Sequence, residues 1–270
     1  MIIVIDALNK HEYGEILDQM FQLRARVFAD RLGWEVEVKD GKEIDQFDAL
    51  DPAYVVGVDD EGHVVSCVRA LQTTGPHMLA DVFSDILDGE PPLRSATVWE
   101  STRFCVDTNR LSLSGRGPKT VSHATAELMI GSLEYARDSG IKDIITVIDP
   151  VMNRVLKRSD NAPYDYVGKT TPMGKVSAMA ALLDCSEERI DRVRAFADIT
   201  YDVFGTEAER ALLKDADAGA AKRDPHPAFS MLDPAPSAPP ELDMIADYLR
   251  VQLADSTSPS EYKAAKALMD

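Results

Sequence analysis

A chain of 270 residues with 45% hydrophobic and 28% charged side chains holds one large domain and a tail, or two small domains, of ordinary soluble composition. The net charge of -17 speaks against a duplex nucleic-acid binder, which needs a basic surface to neutralise phosphates. Asp6 interrupts the first apolar run, so no secretory leader is expected, and no later run reaches a membrane span.

The expectation is therefore a cytoplasmic protein with neither a nucleic-acid nor a membrane partner. Cys67, Cys105 and Cys185 are odd in number and include no CxxC pair, which fits a reducing compartment without a disulfide framework or zinc site. His11, His63, His77, His123 and His226 show no metal-ligand spacing, so no metal is expected.

In chain order, residues 2–5 read as a short strand. A helix follows, with Asn9 as N-cap and Glu12 three residues on, resembling a capping box. Tyr13, Ile16, Leu17, Met20, Phe21, Val27 and Phe28 keep the i, i+3, i+4 rhythm of one apolar helix face. Residues 53–58 and 63–71 form the clearest hairpin signal, two β-rich runs around DDEG. Residues 97–107 are a third strong strand. A helix over 119–139 ends at Gly140, a strand over 141–148 stops at Pro150, and helices follow over about 150–158 and 187–202. Strands interleaved with helices indicate an α/β or α+β sandwich with a mainly antiparallel sheet.

Near residue 222 the composition changes. RDPHPAFSMLDPAPSAPP carries six of the 15 prolines and reads as an extended linker. Beyond it, Leu242, Ile245, Leu249 and Leu253 fall at helical spacing. The expected organisation is a catalytic domain over 1–205, a connecting segment and linker over 206–240, and an amphipathic helical tail over 241–270.

No Gly-rich phosphate loop, serine nucleophile elbow or HExxH motif is present; LSGRGP at 113–118 is a weak match to the first. A distributed set stands out instead: RARVFADRLGW, then EIDQFD, then SCVRA, then ESTRF. Each member has a plain alternative. Phe28 suits a helix core, Trp34 a plug after Gly33, Asp45 and Asp48 a solvated loop face. Arg69, Glu100 and Arg103 could be parts of structural ion pairs.

Together, R-x-x-x-F-x-x-R-L-G-W, D-x-x-D, an Arg late in the second hairpin strand, and E-x-x-R-F resemble the acyl-homoserine-lactone synthases, the autoinducer synthases of bacterial quorum sensing. The resemblance covers residues 1 to about 205. It implies an N-acetyltransferase-like three-layer α/β/α sandwich with a mainly antiparallel, splayed sheet that opens a cleft for a phosphopantetheine arm. It also implies synthesis of an N-acyl-homoserine lactone from S-adenosylmethionine and an acyl thioester, with methylthioadenosine released.

S-adenosylmethionine would be a substrate, and no cofactor is expected. Its sulfonium and adenine would meet Phe28 and Trp34, its ammonium Asp45 and Asp48, and its carboxylate Arg103. Arg24 and Phe104 also fall on positions that the family uses for this ligand. Glu100, with Arg69, occupies the catalytic positions, Glu100 taking the ammonium proton directly or through a water. Period-two alternation sends Glu100 and Arg103 to opposite faces of a regular strand, so a shared site predicts a β-bulge between them.

The resemblance also implies a role for Thr146 in the acyl-chain pocket, since it falls where a Thr in the family goes with acyl chains that carry a 3-oxo group. Arg154, Lys157 and Arg158, at i, i+3 and i+4 on the helix that begins at Pro150, form a basic face suited to an acidic acyl carrier protein, coenzyme A being the other possible acyl carrier. Two rival readings use the same fold. An N-acyltransferase acting on another amine should show a Gly-rich pyrophosphate loop. A non-catalytic regulator working through the tail should have lost Arg24, Trp34, Asp48 and Glu100, all of which are present.

Overall fold

The elements follow from where apolar side chains alternate and where they recur at helical spacing. In chain order they are β1 (Ile2–Ile5), α1 (Gly14–Arg24), β2 (Val38–Lys39), β3 (Lys42–Glu43), β4 (Ala53–Val58), β5 (Val64–Gln72) and α2 (Met78–Asp81). Then come β6 (Val98–Val106), α3 (Thr108–Leu111), α4 (Pro118–Asp138), β7 (Asp143–Ile148), α5 (Pro150–Arg158), β8 (Asp165–Met173), β9 (Val176–Asp184), α6 (Glu187–Ala197) and α7 (Glu207–Ala220). This computed structural model describes residues 1–111, 118–173 and 176–220. The chain divides into two units, 1–223 and 224–270. The proline-rich linker beyond residue 220, the tail helix and most of LSGRGP lie outside the described residues.

Seven strands form one sheet in the order β1-β4-β5-β6-β7-β9-β8, antiparallel throughout except for β6 and β7. The expected mainly antiparallel α/β/α sandwich is what the chain builds. Alternation assigns the faces. Ile3 and Ile5 of β1 join Ile16, Met20 and Leu23 of α1 on one side, while Ile2 joins Leu128, Ile130 and Leu133 of α4 and Ile190 and Val193 of α6 on the other. Gly131 allows α4 its close approach, since a Cβ there would lie 2.9 Å from Ile2 Cγ2.

Strands β6 and β7 pair only from Val98–Asp143 to Ser101–Thr146, after which β6 runs on beside β5 and β7 beside β9. That fork is the splay expected of the fold. At the far end of β7, Asp149 caps α5 by accepting from Met152 N–H at 2.7 Å, with Pro150 in the first turn.

Several expectations change. Asn9 does not cap a helix: its Oδ1 accepts from Asp6 N–H and its Nδ2 donates to Val4 O, so it ties a short 3-10 turn back to β1, and α1 begins at Gly14. Strands β8 and β9 fill a stretch with no expected element. Helix α7 occupies much of the expected connecting segment, where Leu213 packs on the α1-side core and Lys214 pairs with Glu12 at 2.5 Å. Among the described residues no helix is long and apolar enough to cross a membrane.

Candidate active site

Three arginines and three carboxylates meet between α1, β3, β5 and β6. Arg24 is the last residue of α1, after which the chain continues as a π-helical stretch over Ala25–Arg31 and turns at Gly33, at φ +62. Arg24 Nε donates to Glu43 at 2.5 Å, and its two Nη groups grip Asp48 at 2.8 and 2.9 Å. Arg69 on β5 takes Asp45 in the same bidentate way, at 2.6 and 2.9 Å, and touches Asp48 at 2.8 Å. Arg103 on β6 closes the ring on Glu43 at 2.9 Å and Asp45 at 2.8 Å.

The expected bulge is present. Between Cys67–Cys105 and Arg69–Thr102, one residue of β5, Val68, faces two of β6, Arg103 and Phe104. Arg103 itself adopts φ +58, a left-handed conformation that costs a non-glycine residue about 1–3 kcal/mol. The extra residue turns Arg103 to the face that Thr102 already presents, where Thr102 Oγ1 accepts from Arg69 Nε at 3.0 Å. Without it Arg103 would point to the α4 side.

Asp45 and Asp48 are held by a capping box at a 3-10 turn over Gln46–Leu50, each side chain accepting a backbone N–H within the turn. Asp48 also accepts from Tyr54 Oη at 2.7 Å, and its side chain is 4% exposed. Burial alone would raise its pKa, but the Arg24 bonds and the charges of Arg24 and Arg69 hold it well below the usual carboxylate range. Burial would lower Arg24 and Arg69, but Asp48 and Glu43 raise the first and Asp45 and Asp48 raise the second, so both stay charged. Asp45, at 18%, and Arg103, at 10%, are the most solvent-exposed members of the network. That corner is where a charged ligand can enter.

Aromatic rings line it. Phe28 and Trp34 stack with centroids 5.1 Å apart and planes at 23°, and the Arg103 guanidinium lies over Phe28 at 5.5 Å. Trp34 is 44% exposed, so it is no buried plug, whereas Phe28 is core on one side and ring platform on the other.

Glu100 makes neither of the ion pairs that were the plain alternative for it. Its two carboxylate oxygens accept from the backbone N–H groups of Met78 and Leu79, at 2.7 and 2.6 Å, and it is fully buried. Burial pushes its carboxyl up, against the opposing effect of those two bonds. Met78, which it holds, places its Sδ 3.3 Å from Arg69 Nη2 and 3.5 Å from Arg103 Nη1, so Glu100 borders the network through α2.

A family model described as autoinducer synthase matches residues 8–193. The chain belongs to the autoinducer synthase family. The acyl-homoserine-lactone synthase of Agrobacterium fabrum is 35% identical over 192 residues, covering 71% of this chain and 90% of that one. The synthase of Rhizobium etli is 36% identical over 180 residues, 66% of this chain and 81% of that one. Among solved structures, the acyl-homoserine-lactone synthase LasI matches with a TM-score of 0.60 at 28% identity, over 72% of this chain and 94% of that one. The chain is thus an acyltransferase of the acyl-homoserine-lactone synthase type.

In this autoinducer synthase the structure brings Arg24, Asp45, Asp48, Arg69 and Arg103 into one network, with Phe28 and Trp34 against it and Glu100 beside it. It places the others elsewhere. Phe104, expected at the ligand, packs on the opposite face of β6 with Val65, Val106, Leu111 and Ala124, because the bulge returns it to the α4 side. Thr146 lies at the fork, opposite Ser101. Arg154, Lys157 and Arg158 are exposed on α5.

Glu43 was not singled out from the sequence, although it bridges Arg24 and Arg103 and is fully buried. Its signal was present: in Glu43-Ile44-Asp45 the two acids sit at i and i+2, on one side of an extended segment. At the β4–β5 turn Asp59, Glu61 and His63 gather, but Arg110 already donates to both carboxylates, at 2.7 and 2.8 Å.

Proposed function

We propose that the chain makes an N-acyl-homoserine lactone from S-adenosylmethionine and an acyl thioester. The observation that carries this is the exposed corner of the network, where a guanidinium and a carboxylate stand side by side under a stacked aromatic pair. An α-amino acid bearing a sulfonium is the complementary ligand. Its carboxylate takes Arg103 and its ammonium takes Asp45, each exchanging one half of an existing ion pair for the ligand. Trp34, 44% exposed, offers its outer face to the sulfonium and the adenine, and Phe28, buried and stacked against it, backs that ring. Asp48, saturated by Arg24, Arg69 and Tyr54, is a positioning residue rather than a ligand contact.

The ammonium must lose a proton before its nitrogen attacks the thioester carbonyl. Glu100, whose burial makes it a stronger base than an ordinary carboxylate, takes that proton directly or through a water. A nitrogen–carbon bond forms and the carbon–sulfur bond of the thioester breaks, releasing a thiol. The carboxylate oxygen then attacks the γ-carbon, closing the lactone while the sulfonium leaves as methylthioadenosine. Arg69, bonded to Asp45 and Thr102, holds this machinery in place.

The acyl group enters through the fork of β6 and β7. The basic face of α5 beside it, with no ion-pair partner for Arg154, Lys157 or Arg158 among the described residues, suits an acidic carrier protein as donor. Coenzyme A is the second possible donor. The three thiols Cys67, Cys105 and Cys185, all free and buried, suit a cytoplasmic enzyme.

The test is mass spectrometry of products after incubation with S-adenosylmethionine and acyl thioesters on both carriers. Lactone and methylthioadenosine in equal amounts are expected. Acylation of another amine with S-adenosylmethionine unconsumed would overturn the proposal in favour of a plain N-acyltransferase.

A further inference from the structure

Cys67 on β5 and Cys105 on β6 are register partners on neighbouring antiparallel strands, and their Sγ atoms lie 3.4 Å apart. Both thiols are free and buried. They belong to the α1-side core that also holds Val27 and Phe28, and Phe28 is the ring on which Trp34 stacks. Directly opposed residues of an antiparallel pair have Cα atoms about 4.5–5.5 Å apart, inside the range of about 4.4–6.8 Å that a disulfide spans. The backbone is already spaced for a bond, and only the two sulfurs have to close in.

The pair also stands at the edge of the bulge. The next register pair is Arg69–Thr102, and between the two pairs lies Arg103, at φ +58. Arg69 comes two residues after Cys67 and Arg103 two before Cys105, so both guanidiniums share the face of the thiols. Cys67 Sγ donates to Arg103 O at 3.8 Å, which leaves Cys105 as the donor between the two sulfurs. A disulfide is about 2.05 Å long. Closing it draws the sulfurs together by more than an ångström and removes both S–H protons, including the one that Arg103 O accepts.

Resting on the lactone-synthase reading for its consequence, we propose that Cys67 and Cys105 form a reversible disulfide, and that closing it shifts Arg103 and weakens the hold on the carboxylate of S-adenosylmethionine. With hydrogen peroxide as oxidant, one thiol gives up its proton and its sulfur attacks the peroxide. The O–O bond breaks, a sulfenic acid forms and water leaves. The second sulfur then attacks the sulfenic sulfur, the S–S bond forms and another water leaves. In all, two thiols lose two electrons and two protons, and one peroxide becomes two waters. A dithiol reverses the change by exchange. Burial, and then the bond to Cys67, push the Cys105 thiol well up, while Arg24 and Arg31 act the other way. A high thiol pKa makes the first step slow, and the waiting second sulfur makes the next one fast.

The experiment treats the full chain with hydrogen peroxide and counts thiols after denaturation. Three are expected before treatment and one, Cys185, after it. Trypsin should then release residues 43–69 linked to residues 104–110, a pair that a dithiol separates. Three remaining thiols, a linkage through Cys185, or a sulfinic acid at either cysteine without the linked pair overturns the inference. S-adenosylmethionine should bind the oxidised protein more weakly by on the order of tenfold, the worth of one hydrogen bond to a charged group, with affinity restored by the dithiol. An affinity within about twofold of the reduced protein's also overturns it.

Cys105→Ala should bind S-adenosylmethionine as the reduced wild type does and lose no affinity on treatment. If it does not fold, Cys67→Ala takes its place. A loss in the variant equal to the wild type's traces the effect to another oxidation, such as a Met78 sulfoxide, and counts against the disulfide. The thiol count and the linked peptides need neither ligand nor turnover. A reduced protein that binds no S-adenosylmethionine therefore refutes the functional reading and leaves the disulfide to be decided by its peptides.

Discussion

Replacing Glu100 by Gln separates two roles that the structure gives to one side chain. Glu100 accepts one backbone N–H on each oxygen, from Met78 and Leu79. A glutamine keeps one acceptor but turns an NH₂ donor towards the other N–H, leaving a buried donor unpaired at a cost of about 1–3 kcal/mol. For a domain of this size each kcal/mol lowers the melting temperature by about 2–4 °C, so a fall of about 2–12 °C is expected. A capping role alone predicts nothing more at a temperature well below the melt. A base predicts a loss of kcat by about 10²–10⁴-fold with S-adenosylmethionine affinity retained. The assay is a thermal melt, a ligand titration and steady-state kinetics on the same preparation. An unchanged melting temperature refutes the capping argument, and kcat within threefold of wild type removes Glu100 from proton transfer.

Trp34→Ala should weaken S-adenosylmethionine binding by about 0.5–2 kcal/mol with only a small fall in melting temperature, since the ring is half exposed; a large destabilisation with intact affinity would contradict this. Asp48→Asn should destabilise by about 3–5 kcal/mol because Arg24 and Arg69 are left buried and under-paired, whereas Asp45→Asn should chiefly raise KM for S-adenosylmethionine; denaturant melts and kinetics compare the two. Asp48 has a depressed folded pKa, so its contribution is complete above the unfolded value near 3.8 and is lost as pH falls through the folded one; an acid limb of stability that is shallower in Asp48→Asn checks the sign. Thr146→Val should lower the preference for 3-oxo over unsubstituted thioesters if its hydroxyl donates to that oxygen, and equal ratios in both proteins would exclude it. Reversing Arg154 and Arg158 to Glu should raise KM for an acyl-carrier substrate severalfold at low salt, less at high salt, and leave a small thioester unaffected.

The apolar rhythm from Tyr13 to Phe28, the hairpin of β4 and β5 around DDEG, and the start of α5 at Pro150 were all legible because each is a local pattern: a period, a turn or a cap. So was the motif set, down to the bulge demanded by putting Glu100 and Arg103 in one site. Strand β9 was not legible, because Ala178, Ala180 and Ala181 are small to fit between β7 and β8 with both faces covered, and a run of Ala, Met and Leu has no period of two to read. Nor was β8, whose Gly168 and Pro172 speak against a strand until its register shift is seen.

Within the site, the sequence by itself determined which charges and rings are available. Only the tertiary structure decided how they divide the work. Asp45 and Asp48 are equivalent on paper and each meets two guanidiniums, yet packing adds a phenol to Asp48 and leaves it 4% exposed, while Asp45 stays 18% exposed beside Arg103. Arg103 reached Glu43, and Phe104 left the site, for one reason. A side chain's partners depend on strand register, and one extra residue opposite Val68 reversed the facing of everything after it.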